Sequence, residues 1–296
     1  MTASRVPARI GRMQTTVLDW YAANGRDLTF RHTADPWAIL VSEVMAQQTQ
    51  AARAAAAWTR FMSQFPTPAS LASASPATVI RAWRGLGYNR RALALHRAAI
   101  AIVAEHGGRV PDSLDALLAL PGIGPYTARA FLAIAYNRSV AALDVNIRRV
   151  VGRAFIGETL APRALQSTAD AFVPAGQGAT WTHALMDIGA AFCRSCDPRC
   201  DACPLRATCH YAQTPEPPGV ARAPRSSRTP SVRFESTTRW LRGRILDRLR
   251  DSPTWVTFDA SIGTHDHDAV QASLARLSAE GMIELDEGRA RLSEAR

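Results

Sequence analysis

Lysine is absent from this sequence. All 35 basic side chains among its 296 residues are arginine, so no ε-amine is present to form a Schiff base with a carbonyl substrate. Long apolar runs are absent too: nothing approaches the roughly 20 residues that spanning a bilayer requires. The opening MTASRVPARI lacks the apolar core of a signal peptide, and a soluble, cytoplasmic protein is expected. Acidic side chains are in deficit, 25 against 35 arginines, which leaves a formal net charge of +10. A surface of that sign attracts polyanions, with nucleic acid the leading candidate; a basic protein with no such partner is the other reading. Cysteine is scarce, and its five copies all fall between positions 193 and 209.

What is present is apolar residue in quantity, 47% of the chain, enough for a sizeable core in two domains or in one with an appendage. From Thr15 to Tyr211 the apolar positions recur at helical spacing with no period-two strand, which predicts an all-α body. Pro and Gly break the pattern at Phe65–Pro68, His106–Gly108, Pro121–Gly124 and Val173–Gly176, each a helix boundary. After Tyr211 the composition turns to Pro, Ser and Arg, and residues 212–235 read as a linker. Beyond it, helices are expected over Thr238–Arg250 and Asp266–Glu280. A hairpin of Met282–Leu285 and Arg289–Leu292 about Asp286-Glu287-Gly288 should follow. That order is that of a small winged-helix domain over 236–296; a tail with two transient helices is the alternative.

Four local patterns carry chemistry. Cys193, Cys200, Cys203 and Cys209 are separated by six, two and five residues, a density that suggests metal ligands rather than disulfides in a cytoplasmic protein. Thiolates suit tetrahedral zinc and a [4Fe–4S] cluster alike, and Cys193/Cys196 with Cys200/Cys203 also make two zinc-ribbon pairs. Leu120-Pro-Gly-Ile-Gly-Pro-Tyr126 reads as a helix end, a tight turn and a new helix start, either a plain turn or a nest of N–H groups for an anion. Asp144, in Leu143-Asp-Val-Asn-Ile-Arg-Arg-Val150, stands at a helix entrance, where a carboxylate is commonly an N-cap. Glu43 is a lone carboxylate in the apolar run Val41-Ser-Glu-Val-Met45. It is either solvated or buried, and burial would raise its pKa toward that of a general acid.

The cysteine spacing resembles the cluster loop of the endonuclease III and MutY family of helix-hairpin-helix DNA glycosylases. The other three patterns follow in that family's order, so the likeness runs from about Trp20 to Tyr211. The resemblance implies a [4Fe–4S] cluster on Cys193, Cys200, Cys203 and Cys209, with Cys196 unligated. It implies a hairpin that clamps a DNA phosphate at Gly122 and Gly124, and a catalytic aspartate at Asp144. Ser42-Glu-Val-Met-Ala-Gln-Gln-Thr-Gln50 resembles the signature of the family's adenine-removing branch. That likeness makes Glu43 the proton donor and places Gln47, Gln48 and Thr49 on DNA. Gln48 and Tyr88 match positions that wedge into the duplex beside a flipped base, and Arg31 matches part of the base pocket. Tyr126 stands where strand-cutting relatives hold a lysine, so a monofunctional glycosylase is implied, with Tyr126 and Asn146 orienting the two carboxyls. Arg90, Arg91 and Arg148 are expected on phosphates.

The implied architecture is an all-α fold of two helical domains, 26–136 and 1–25 with 137–211. The winged-helix-like segment would replace the Nudix-like domain that typical adenine glycosylases carry. The implied partner is double-stranded DNA with a mismatch, bound in the nucleoid by a monomer, and adenine opposite 8-oxoguanine or guanine is the implied substrate. Thr29-Phe30 for the customary Pro-Trp, Ala46 for leucine and Val145 for glycine depart from the family's pattern. A thymine-removing mismatch glycosylase and a non-catalytic DNA-binding protein are the alternatives.

Overall fold

The computed structural model describes residues 5–214 and 233–295, so most of the expected linker lies outside the described residues. In chain order the helices are α1 (Arg5–Asn24), α2 (Pro36–Ala46), α3 (Ala51–Gln64), α4 (Pro68–Ala72), α5 (Pro76–Ala82), α6 (Arg90–His106) and α7 (Leu114–Ala119). There follow α8 (Pro125–Tyr136), α9 (Val145–Val150), which runs into a π-helical turn over Val151–Ile156, α10 (Pro162–Ala171), α11 (Gly178–Ala191) and α12 (His210–Gln213). The C-terminal segment adds α13 (Thr238–Arg250), β1 (Val256–Thr257), α14 (His267–Ala279), β2 (Ile283–Asp286) and β3 (Arg289–Leu292).

Local chemistry explains the boundaries. Thr67 and Ser75 cap α4 and α5, each followed by proline at the first helical position, where the missing N–H costs nothing. Gly107 and Asn137, both left-handed, end α6 and α8. In the C-terminal hairpin, Glu287 and Gly288 both have positive φ, the signature of a type I′ turn, whose twist matches that of its strands. The sheet is antiparallel in the order β1-β3-β2, with Ile283 opposite Leu292 and Val256 opposite Ala290.

The chain forms two compact units. The first takes the described residues of 1–43, 112–119 and 123–227. Its core joins Met13 and Val17 of α1 to Ile147 and Val150 of α9, Phe155, and Trp181, Leu185 and Ile188 of α11. The second takes the described residues of 44–111, 120–122 and 228–296. Here the C-terminal segment has no separate core: Leu241, Ile245, Leu274, Met282 and Leu292 bury together with Ala77 and Ile80 of α5 and Leu93 of α6. Polar ties reinforce the seam. Arg250 donates to Asn89 Oδ1 at 2.7 Å and to the Ile80 carbonyl at 3.1 Å, and the Ala77 N–H donates to the Ser293 carbonyl at 2.8 Å. No helix among the described residues is long and apolar enough to cross a membrane.

Candidate active site

Helix α2 is apolar on every side, and its residues 37–45 are all buried. Glu43 is carried inside with them and is only 8% exposed. Burial pushes its carboxyl from 4.5 up to about 7; the Arg31 guanidinium opposes the rise and the Asp144 carboxylate adds to it. A group so placed keeps a proton to give near neutral pH, which a solvated glutamate does not.

Asp144 reaches the same site by another route. The segment before it is held by Asp170, whose carboxylate takes the Ala141 N–H at 2.7 Å and a hydrogen bond and ion pair from Arg129. Asp144 then caps α9: Oδ1 accepts the Ile147 N–H at 2.6 Å and Oδ2 accepts from Asn146 Nδ2 at 3.2 Å. Asn146 Oδ1 in turn accepts from Arg149 Nη2 at 2.8 Å, which also donates to the Gly189 carbonyl at 2.9 Å, while Arg149 Nε donates to the Cys193 carbonyl. A β-carbon at Gly189 would fall 2.7 Å from that of Asn146, so this approach of α9 to α11 needs glycine. The cap thus engages both carboxylate oxygens of Asp144, whose charge acts on Glu43.

Tyr126, in the first turn of α8, completes the group. Burial raises its pKa, and the charges of Glu43 and Asp144 raise it further, so the phenol stays neutral and can only lend or accept a hydrogen bond. Glu43, Asp144, Tyr126 and Asn146 thus lie within one electrostatically coupled site in the first unit.

Sequence reasoning missed what lies beneath it. Asp187, buried in α11, receives Arg31 through both oxygens at 2.8 and 2.9 Å and Arg26 Nε at 2.7 Å. Burial alone would raise the Asp187 carboxyl, but the hydrogen bonds from Arg31 and Arg26 outweigh it and hold the carboxyl below its ordinary value. Arg31 also touches the Tyr21 hydroxyl at 3.3 Å, and its side chain is 6% exposed. It is an interior charge fixed in place, not a surface cation. One turn before Asp187, His183 is buried, and desolvation followed by the Arg31 charge pushes it down to about 3, so the imidazole is neutral. The signal was there: Asp187 and His183, four apart in an apolar helix, repeat the pattern that singled out Glu43.

The remaining candidates divide by unit. In the first, Cys193, Cys200, Cys203 and Cys209 line one cavity between the π-helical turn and the loop after α11, and exposed Cys196 does not. Among the described residues no three His, Cys, Asp or Glu side chains close around a single point. Arg148 is exposed on α9, and Gly124 caps α8 with open space where a β-carbon would go. In the second unit, Gly122 has φ +80°, and a β-carbon there would stand 2.6 Å from that of Ala94, so the turn excludes other residues twice over. Arg91 is committed to its own unit, donating to the carbonyls of Val44, Met45, Gln47, Leu86 and Gly87 and to Thr49 Oγ1 at 3.1 Å. That clamp joins the end of α2 to the loop before α6 and presents Gln48 and Tyr88, both at positive φ. Arg90 is largely exposed.

Residues 41–174 match the family model described as HhH-GPD superfamily base excision DNA repair protein. The chain is 44% identical over 246 residues to an adenine DNA glycosylase of Mycolicibacterium smegmatis, covering 81% of each. Among solved structures, a thermostable thymine-DNA glycosylase superposes with a TM-score of 0.66 at 29% identity, over 70% of this chain and 97% of that one. An endonuclease III bound covalently to DNA gives a TM-score of 0.59 at 20% identity over 71% and 96%, a likeness of fold alone.

Proposed function

The chain belongs to the HhH-GPD superfamily of base excision DNA repair proteins, and within it we propose that it is a monofunctional adenine DNA glycosylase. The observation that carries this reading is the pairing of Glu43, a buried acid poised at about 7, with the capped carboxylate of Asp144. Cleaving an N-glycosidic bond requires a proton on the departing purine and a negative charge beside the oxocarbenium-like sugar, and two unlike carboxyls divide that work. Glu43 donates to adenine N7. Asp144 then stabilises the sugar cation until water adds, and Tyr126 and Asn146 keep the two in register. The absence of lysine from the sequence supports base removal without Schiff-base strand scission.

The test is to incubate the protein with duplexes holding adenine opposite 8-oxoguanine, adenine opposite guanine, or thymine opposite guanine, and then cleave with alkali. Breakage at adenine supports the proposal. Breakage only at thymine would move the chain toward the thymine-removing relative, and breakage at neither would leave a binding protein. The single-turnover rate should also fall about tenfold per pH unit above a midpoint near 7, because the active form of Glu43 is the protonated one. A flat profile from pH 6 to 9 would remove Glu43 from the proton-donating role.

We further propose that Cys193, Cys200, Cys203 and Cys209 hold a [4Fe–4S] cluster. The four thiols line one cavity, and their spacing resembles the family's cluster loop, which supports the cluster over zinc. When bound, such a cluster would tie the end of α11 to the residue before α12 and to the loop between them. Protein purified without oxygen should contain about four iron atoms and as much acid-labile sulfide per chain; zinc without sulfide would refute the assignment. The helix, helix and hairpin order of the C-terminal segment supports a winged-helix reading of 236–296.

A further inference from the structure

Asp144 stands between two anchors. After it, Arg149 ties α9 to α11. Before it, residues 137–144 run from α8 to α9 outside any helix or strand, and their path is set at Ala141. Both polar backbone groups of this buried residue are taken by side chains. Its N–H donates to Asp170 Oδ1 at 2.7 Å, and its carbonyl accepts from Arg129 Nε at 3.0 Å and from Gln166 Nε2 at 3.0 Å. Gln166 Nε2 also donates to Asp170 Oδ1 at 3.0 Å, and the Arg129 guanidinium closes the ring through an ion pair with that same oxygen.

The clamp joins three elements of the first unit. Arg129 lies on α8 one turn after Tyr126, and Gln166 and Asp170 lie one turn apart on α10. Little slack separates the clamped peptide from the carboxylate. The Asp144 N–H turns back onto the Ala142 carbonyl at 3.0 Å, a three-residue turn, and Ala142 is buried as well. A buried peptide group stripped of its partners costs free energy, so without the clamp the segment would shift toward water and carry Asp144 with it. Because the charge of Asp144 is felt at Glu43, such a shift would alter the site and not the loop alone.

We propose that Asp170 is a positioning residue of the active site, which acts through Arg129, Gln166 and the Ala141 peptide to set where the Asp144 carboxylate stands relative to Tyr126 and the sugar cation. The inference rests on the adenine glycosylase reading and deepens it. A preorganised charge stabilises a developing one only where it is correctly placed, and a misplacement of about 1 Å caused far from the chemistry can cost on the order of 10²-fold in rate. A carboxylate suits position 170 because the Arg129 side chain is only 15% exposed, and a charge so enclosed needs an opposite partner.

The test uses the full chain as wild type, Asp170→Ala, Asp144→Asn and the double variant. Two duplexes probe the site without turnover: one holds a pyrrolidine analogue, whose ring nitrogen is a cation, in place of the adenosine sugar, and the other a neutral tetrahydrofuran analogue. The wild type should prefer the cation by about 10²-fold. Asp170→Ala should cut that preference about tenfold while binding the neutral duplex as tightly as the wild type does. In single-turnover adenine release, Asp170→Ala should cost about tenfold alone but less than about twofold beside Asp144→Asn, because changes within one network do not add. If Asp170→Ala fails to fold, Arg129→Met with Gln166→Ala frees the Ala141 carbonyl instead and should show the same pattern. An unchanged preference for the cation, or an equal rate loss in both backgrounds, would make the clamp a plain loop anchor and overturn the proposal. No adenine release from the wild type would count against the catalytic reading alone, since the cation preference is read by binding.

Discussion

Glu43→Gln is expected to lower single-turnover adenine release by a factor on the order of 10³ or more, within the range for loss of a general acid, while duplex affinity changes little. Glutamine has nearly the same shape and fits the same apolar helix, but its amide has no proton to transfer to a leaving purine. The substitution carries a second signature that a merely structural residue would lack. Glu43 is raised from 4.5 to about 7 in the folded chain by burial, so its contribution to stability is fully present below 4.5 and is lost as pH rises through 7. At pH 8 the unfolded chain holds an ionised Glu43 that the folded chain accommodates poorly. Glutamine has no such penalty, and the variant should gain up to about 3 kcal/mol over the wild type at that pH and little at pH 4. Thermal melts at the two pH values measure this. A variant that still excises adenine at the wild-type rate, or is less stable at pH 8, would end the assignment.

Asp144→Asn is expected to cost on the order of 10²- to 10³-fold in the same rate, the scale of losing one preorganised electrostatic contact to a transition state, with the N-cap bond from Ile147 kept and the hydrogen bond from Asn146 Nδ2 lost. The amide oxygen of asparagine can still accept the Ile147 N–H, and Asn is as good an N-cap as Asp. What disappears is the charge beside the sugar. Asp144→Ala should lose the cap as well, at about 1 kcal/mol of stability, so the pair of variants separates the two duties of one side chain. If the asparagine variant kept full activity, the cap would be the whole of its role.

The principal helices and the C-terminal hairpin were legible in the sequence because their signals are local, the hairpin from Asp286-Glu-Gly288 between alternating segments. The residues alone left Glu43 either solvated or buried and Asp144 a common N-cap, and the family resemblance is what singled the two out. What was not legible depends on partners far away in the chain. The bond from Arg31 to Asp187 spans 156 residues, and nothing near either one announces the other. Charge alone likewise could not tell that Arg91 would be occupied by backbone carbonyls while Arg148 stays exposed. Strand β1 has two residues and no periodicity to read. The seam between the C-terminal segment and α5 with α6 was invisible for the same reason, since each apolar face reads as an ordinary amphipathic helix.

That seam limits how the chain can be dissected. A shortened protein ending at residue 214 would lose the apolar cover of Ala77, Ile80 and Leu93 and present bare aliphatic surface to solvent, inviting self-association. By the same logic, a protease cut after residue 214 would nick the backbone and leave the two fragments held together, so an intact mass under native conditions and two bands in denaturant would be observed.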